Sequence, residues 1–180
     1  MFAVTHMRRW IAATAALILM SGMSIAFLPT AQATVGDLIC GTGVEAASYS
    51  PGLTNTAQPE TVTLNGTLGP CVSLKDLSVT GGSYHVVVNN TFSCLTLFGN
   101  ASGVRTFTWN NGQSSTFTYT ASIEKAESEV VATYTGTITG GEFAGDHALM
   151  VVTSASLSAL QCATPPGVQS SSGTITLAIS

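Results

Sequence analysis

Apolar and hydroxyl-bearing residues alternate with a period of two along most of the chain after residue 33. In residues 130–139, Val130, Ala132, Tyr134 and Ile138 share one face, and threonines occupy much of the other. Successive side chains of a β-strand point to opposite faces, so this pattern indicates strands with one face on a core. No segment after residue 33 shows helical periodicity. The pattern therefore predicts an all-β domain.

Turn residues separate the alternating runs. Such stretches include Gly81-Gly82, Asn110 to Gly112, Gly140-Gly141 and Pro165-Pro166-Gly167. They divide the chain into about eight antiparallel strands with mostly short connections, which is typical of a meander. Both a barrel and a two-sheet sandwich satisfy this pattern. We expect a closed barrel in preference to a two-sheet sandwich, because sequential hairpins close a barrel naturally.

The first 33 residues carry the features of a secretory signal peptide. Arg8 and Arg9 precede an apolar run from Trp10 to Leu28, and Ala31-Gln32-Ala33 offers small residues before a cleavage point. The alternative is a membrane anchor, but Ser21, Gly22 and Ser24 interrupt the run. We therefore expect a signal peptide at 1–33 and a single β-rich domain at 34–180, with no membrane span once the signal is removed.

The charge balance excludes one class of partner. The chain has nine acidic and five basic residues, and two of the basic residues lie in the predicted signal peptide. A domain left with only Lys75, Arg105 and Lys125 lacks the basic surface that nucleic acid requires. We expect no nucleic-acid partner and no cofactor.

All four cysteines follow the predicted signal peptide. An even number in an exported chain argues for two disulfides, for which three connectivities are possible. In the meander, Cys40 and Cys71 flank one hairpin and fall at one end of the sheet, whereas Cys94 and Cys162 fall at the other. The pairing Cys40–Cys71 and Cys94–Cys162 is therefore favoured.

The cysteine spacing does not fit a metal site, so no metal is expected.

The stretch TFTWNNGQSSTFTYT at 106–120 places aromatic residues around an Asn-Gly turn. A two-residue turn would put Phe107 and Phe117 on opposite faces. A three-residue loop, with Gly112 left-handed, puts Phe107, Trp109, Phe117 and Tyr119 on one face. Register follows the hydrophobic pattern where one face is buried, so we predict the three-residue loop and a mainly structural role for these aromatics.

Four aromatic residues are nevertheless candidates for ligand contact. Trp109 lies nearest the turn and could reach a pocket mouth, and Tyr84, Tyr119 and Tyr134 share its predicted inward face. An eight-stranded barrel has room for packed side chains or for one small ligand. These four residues would line such a site.

No catalytic constellation is evident. Glu142, Asp146 and His147 are close in sequence within GGEFAGDH, but neighbours in a strand point to opposite faces. Acid–base catalysis requires groups that converge on one substrate atom. We interpret this stretch as a glycine-rich hairpin corner with solvated acids.

Five short stretches carry a resemblance that covers nearly all of residues 34–180. They are YSPGLTNT at 49–56, LGPC at 68–71, WNNG at 109–112, GGEFAGD at 140–146 and CATPPG at 162–167. These stretches resemble small secreted actinobacterial proteins that are β-rich, contain disulfides and have no established activity. The resemblance implies export and a disulfide-containing β-domain, and it implies no catalytic residues.

Together these features predict a secreted or cell-surface β-domain without enzymatic activity, which binds a surface or extracellular partner or serves as a structural component. The alternative function is that of a β-barrel that binds a small apolar molecule in an aromatic-lined interior. An enzyme is the less favoured hypothesis, because no motif assigns a nucleophile or a base.

Overall fold

A computed structural model describes residues 36–126 and 128–180. The predicted signal peptide at 1–33 lies outside the described residues. Ten strands and one short helix make up this part of the chain. In chain order they are β1 (Leu38–Cys40), β2 (Gly43–Leu53), β3 (Gln58–Leu68), β4 (Cys71–Ser73), β5 (Gly82–Phe92), β6 (Gly99–Trp109), β7 (Ser114–Lys125), β8 (Glu129–Gly141), β9 (His147–Ala155), α1 (Ala159–Ala163) and β10 (Val168–Ile179).

Eight of the strands form a closed antiparallel barrel. The order around the barrel is β2, β3, β5, β6, β7, β8, β9 and β10, and pairing of β10 with β2 closes the ring. The short β1 pairs with the C-terminal part of β10 and with β4. β1 and β2 therefore lie end to end along β10. In the same way, β4 lies beside β1 and β3 beside β2. The predicted closed barrel is confirmed.

The alternating pattern places apolar side chains inside the barrel. On β8, Val130, Ala132, Tyr134 and Ile138 are all buried, as the period of two predicts. On β10, Ile175, Leu177 and Ile179 are buried in the same way. Burial of apolar surface at roughly 25 cal/mol per Å² is what holds such a sheet closed on its core.

The hairpin between β6 and β7 has the predicted three-residue loop. The backbone N–H of Trp109 donates to Gln113 at 2.8 Å, and Phe107 pairs with Ser115. Gly112 has a positive φ of 84°, which glycine adopts without steric cost. Phe107, Trp109 and Phe117 are fully or almost fully buried, so the aromatic face is confirmed as core.

Two glycines stand opposite aromatic residues on the neighbouring strand and leave room for the aromatic rings. Gly66 pairs with Tyr84, and a Cβ at Gly66 would lie 2.1 Å from a ring carbon of that tyrosine. Gly82 faces Trp109 in the same way, at 2.5 Å. Only a residue without a side chain fits beneath these rings, so the glycines set where the aromatics sit.

The two disulfides join Cys40 to Cys71 and Cys94 to Cys162, which is the pairing that the meander favours. The first bridge ties β1 to β4, beside the filled half of the barrel. The second ties the connection at residues 93–98 to α1. Each bridge restricts the unfolded chain and contributes roughly 2–4 kcal/mol.

The helix α1 departs from the expectation of no helix after residue 33. It is only five residues long, too short for a helical hydrophobic period to show in the sequence. Ser158 caps its N-terminus by accepting the backbone N–H of Gln161. Cys162 is its buried residue, so the disulfide anchors the helix to the barrel.

Candidate functional site

A cavity of about 410 Å³ lies in the half of the barrel farther from the loop at 110–112. Its wall includes inward residues of all eight barrel strands, together with residues of the connections at 93–98 and 156–167. Its aliphatic and aromatic wall residues include Ala47, Val62, Leu64, Val86, Phe92, Leu97, Phe98, Tyr119, Ala121, Ile123, Val130, Ala132, Tyr134, Val152 and Leu157.

The cavity exists because small residues replace large ones in this half of the barrel. Towards the loop at 110–112, β6 and β7 contribute Phe107, Trp109 and Phe117, which fill the interior. Farther along, the inward positions include Ala121 on β7 and Ala132 on β8. A barrel of eight strands is just wide enough for large side chains to fill, so small inward residues such as these alanines leave space.

The wall of the cavity is open between β5 and β6. Pairing of these strands is limited to Gly82 with Trp109 and Ser83 with Thr108. The other edge of β5 pairs with β3 along the full length of both strands. Beyond Ser83, β5 and β6 therefore diverge, and we call the opening between them the seam. Residues on both sides of the seam, including Val88 and Ala101, line the cavity.

Three chain connections meet at the cavity end of the barrel. The backbone N–H of Asn55 donates to Cys162 O at 2.9 Å, and that of Cys94 donates to Thr54 O at 2.8 Å. The Cys94–Cys162 bridge links two of these connections covalently. Leu97 and Leu157, which flank the bridge in sequence, contribute to the cavity wall. The disulfide thus fixes the rim of the cavity.

Arg105 separates the filled half of the barrel from the cavity. It is 2% exposed, and it precedes Phe107 and Trp109 on the inward face of β6. Its guanidinium carbon lies 4.2 Å from the ring centre of Tyr84, 4.6 Å from that of Tyr134 and 5.4 Å from that of Tyr119. A cation at these distances is attracted by the negative faces of the rings.

One edge of the Arg105 guanidinium has no partner within the described chain. Nη1 donates to Met150 Sδ at 3.2 Å, whereas Nε and Nη2 are buried and make no hydrogen bond with any described residue. Burying donors of a charged group without acceptors is costly, and cation–π attraction compensates for only part of that cost. Arg105 also contributes to the cavity wall.

Glu45 is the acidic residue of the same wall. It is buried, and the hydroxyl of Tyr84 donates to its Oε2 at 2.5 Å. Burial raises the pKa of Tyr84 above its ordinary value, and the nearby Glu45 carboxylate raises it further. Tyr84 therefore stays protonated and remains a donor to Glu45. No ion pair joins Glu45 to Arg105 among the described residues.

The four aromatic candidates fall in different surroundings. Tyr119 and Tyr134 line the cavity. Trp109 is 2% exposed and packs against Phe107 and Phe143 in the filled half, and its Nε1 donates to Ser115 Oγ at 2.8 Å. Tyr84 lies behind the cavity wall, between Glu45 and Arg105. Tyr119 and Tyr134 thus lie at the cavity itself, and Tyr84 contacts Arg105 in the cavity wall.

The acidic stretch at 142–147 covers the turn between β8 and β9 and the first residue of β9, at the end of the barrel away from the cavity. Asp146 pairs with Lys75 at 3.0 Å. Phe143, at a positive φ of 64°, buries its ring against Trp109 and closes this end. Among the described residues, no group of three or more His, Cys, Asp or Glu side chains could hold a metal ion.

Sequence reasoning missed Arg105 and Glu45 as site residues. In the sequence Arg105 stands out only as one of the few basic residues of the domain. The signal that could have found it is its position in the period-two series with Phe107 and Trp109, which places a charge on an inward face. Glu45 could have been found in the same way, because Ala47 and Tyr49 share its face.

Comparisons with known proteins do not add to this picture. No protein-family model matches the chain, and neither a curated protein nor a solved structure matches it.

Proposed function

We propose that this protein binds a small, largely apolar molecule inside its barrel and that it does so outside the cell or at the cell surface. The cavity carries the proposal. Its volume of about 410 Å³ lies within the range of roughly 300–1,000 Å³ that is usual for small-molecule sites. Such sites combine an apolar wall with a few polar groups. Here aliphatic and aromatic side chains outnumber the polar ones, which are Arg105, Glu45 and several serine, threonine and asparagine residues.

The access route also supports binding. The seam between β5 and β6 gives the cavity a side opening, and Leu97 and Phe98 lie where the chain crosses from one strand to the other. A small displacement of this connection would widen the opening without breaking any pairing of the other strands. The Cys94–Cys162 bridge limits how far the connection moves.

The proposed location rests on the disulfides and on the N-terminal sequence. Two disulfides are compatible with an oxidising compartment, and residues 1–33 have the pattern of a signal peptide. None of the helices in the described part of the chain is long and apolar enough to cross a membrane.

Titration with the uncharged dye Nile red tests the binding proposal. We expect saturable binding at one site, with the increase in fluorescence that an apolar environment produces. Ala132→Phe would fill the cavity and remove this binding, whereas Ala155→Phe, at an exposed position of β9, would retain it. Equal binding by both variants, or no saturable binding of this dye to the folded wild-type protein, would contradict the proposal.

A further inference from the structure

The geometry of Arg105 points to the chemical class of the ligand: we infer that the cavity accepts an amphiphile with a carboxylate head, which the Nε–Nη2 edge of Arg105 binds. This inference rests on the proposed function, because it concerns the same cavity.

The first step is the identity of the unpartnered atoms. Nε and Nη2 lie on the same edge of the planar guanidinium, and their N–H bonds run nearly parallel. That edge matches the two oxygens of a carboxylate, which it binds through two parallel hydrogen bonds. The nitrogen that has a partner, Nη1, belongs to a different edge and donates to Met150. The vacant pair of donors is therefore the pair suited to a carboxylate.

The second step is burial. Arg105 is 2% exposed, so bulk water does not compensate for its missing acceptors. A hydrogen bond that involves a charged group contributes more than one between neutral groups. Neither nitrogen is accessible to a water molecule, so a carboxylate reaches this edge only when a neighbouring side chain moves aside. The carboxylate would then satisfy both nitrogens and neutralise the buried charge. A neutral head group, such as an alcohol, would supply one acceptor and no charge.

The third step is the surroundings of the guanidinium. The rings of Tyr84, Tyr119 and Tyr134 hold it in place, so little side-chain entropy is lost when a ligand binds. Glu45 stands in the same wall, with Tyr84 as its donor. Because like charges repel, the ligand carboxylate is expected on the Nε–Nη2 edge and away from Glu45.

The rest of the cavity sets the character of the tail. Most of the remaining wall consists of aliphatic and aromatic side chains such as Val62, Ile123 and Leu157, with a smaller number of hydroxyl and amide side chains. An unbranched hydrocarbon chain fits such a wall and would extend from Arg105 towards the rim. The cavity thus combines one buried cation with a mainly apolar wall. This combination favours an amphiphile with one charged head over a polar metabolite.

The test compares decanoate with decanol, which share a hydrocarbon chain and differ in the head group. Each is titrated by calorimetry and by displacement of Nile red. We expect the wild-type protein to bind decanoate about tenfold or more tightly than decanol, the ratio that a charged hydrogen-bonded pair provides. Arg105→Gln should remove this preference, measured as the ratio of the two affinities within the variant. Lys75→Gln, which removes a cation outside the cavity wall, should retain it.

The outcomes separate the two proposals. If wild-type protein binds decanol and decanoate equally well, the carboxylate inference is overturned while binding in the cavity stands. If it binds neither ligand nor the dye, the proposed function itself fails. The wild-type comparison decides the inference even where Arg105→Gln does not fold, which circular dichroism would reveal.

Discussion

The guanidinium of Arg105 stacks on the ring of Tyr84, with 4.2 Å between the guanidinium carbon and the ring centre. The hydroxyl of the same tyrosine donates to Glu45. One side chain thus contacts the buried cation through its face and the buried anion through its edge. Several properties of the protein depend on this arrangement.

Removing only the hydroxyl should destabilise the fold. Tyr84→Phe keeps the ring on Arg105 but leaves the buried Glu45 carboxylate without its donor, which costs about 1–3 kcal/mol. The loss is measured as a lower free energy of unfolding in urea. Tyr119→Phe removes a hydroxyl from the same interior without taking a donor from Glu45, and it should cost less. An equal loss of unfolding free energy in both variants would show that the hydrogen bond to Glu45 does not contribute measurably to stability.

Alkaline pH should weaken the fold through the same tyrosine. Burial, with the Glu45 carboxylate nearby, raises the pKa of Tyr84 above the ordinary value of about 10. The folded state therefore holds the phenolic proton more tightly than the unfolded chain does. This contribution to stability is fully present below about pH 10 and is lost progressively as the pH rises above that value. Urea unfolding across that range should show a fall that is smaller in Tyr84→Phe. A fall of the same size in the variant would assign the effect to other groups.

Ser115 links the indole of Trp109 to the β8–β9 turn. Its hydroxyl accepts from Trp109 Nε1 at 2.8 Å and donates to Glu142 O at 2.5 Å, and the residue is fully buried. Ser115→Ala would leave both partners unsatisfied and should lower the free energy of unfolding by about 1–3 kcal/mol or more. Ser114 is the exposed neighbour, so Ser114→Ala is the matched control and should change the free energy of unfolding little. Indistinguishable unfolding of the two variants would contradict this role.

A single methyl group at Gly66 should disturb the site. The added Cβ would lie 2.1 Å from a ring carbon of Tyr84, so the ring would have to move from its place against Arg105. Overpacking of this kind costs about 1–3 kcal/mol. Gly41→Ala is the control, because nothing lies within 4 Å of its Cβ. Thermal unfolding measures both changes, and a Gly66→Ala protein as stable as the control would mean that the ring is not confined.

The two disulfides should have separable effects. Replacing Cys94 and Cys162 with alanine frees the connections that form the cavity rim, so Nile red binding should weaken along with stability. Replacing Cys40 and Cys71 removes a bridge beside the filled half of the barrel and should lower stability by roughly 2–5 kcal/mol with binding retained. Calorimetric melting and dye titration of both variants make the comparison. Loss of binding in both, under conditions where both are folded, would mean that the rim has no special role.

Much of the fold could be predicted from local patterns. The inward faces of β8 and β10 follow from the period of two. The register of β6 on β7 follows from the requirement that Phe107, Trp109 and Phe117 share a face. The disulfide pairing agrees with the same meander. The inward faces and the register depend on single strands and one short loop, which the sequence encodes directly. The disulfides join segments 31 and 68 residues apart, so their pairing depends on the order of the whole meander.

The cavity could not be predicted in the same way. Alternation shows which side chains point inwards, but it does not show whether they fill the volume that the barrel encloses. That depends on the sizes of neighbouring inward residues, such as Ala121 and Ala132, and on the divergence of β5 from β6. The partial hydrogen bonding of Arg105 is likewise a property of the assembled interior.

The seam has a consequence for association between copies of this protein. A fully paired barrel has no strand edges, whereas β5 and β6 each present a stretch of edge in the described chain. Val87 and Val104, on these two strands, are about half exposed. Such an edge is a template on which a second chain can add hydrogen bonds, and β5 carries no Asp, Glu, Lys or Arg to oppose this. Solubility at high concentration should therefore depend on the seam, and Val87→Lys should raise solubility more than the same change on a fully paired strand.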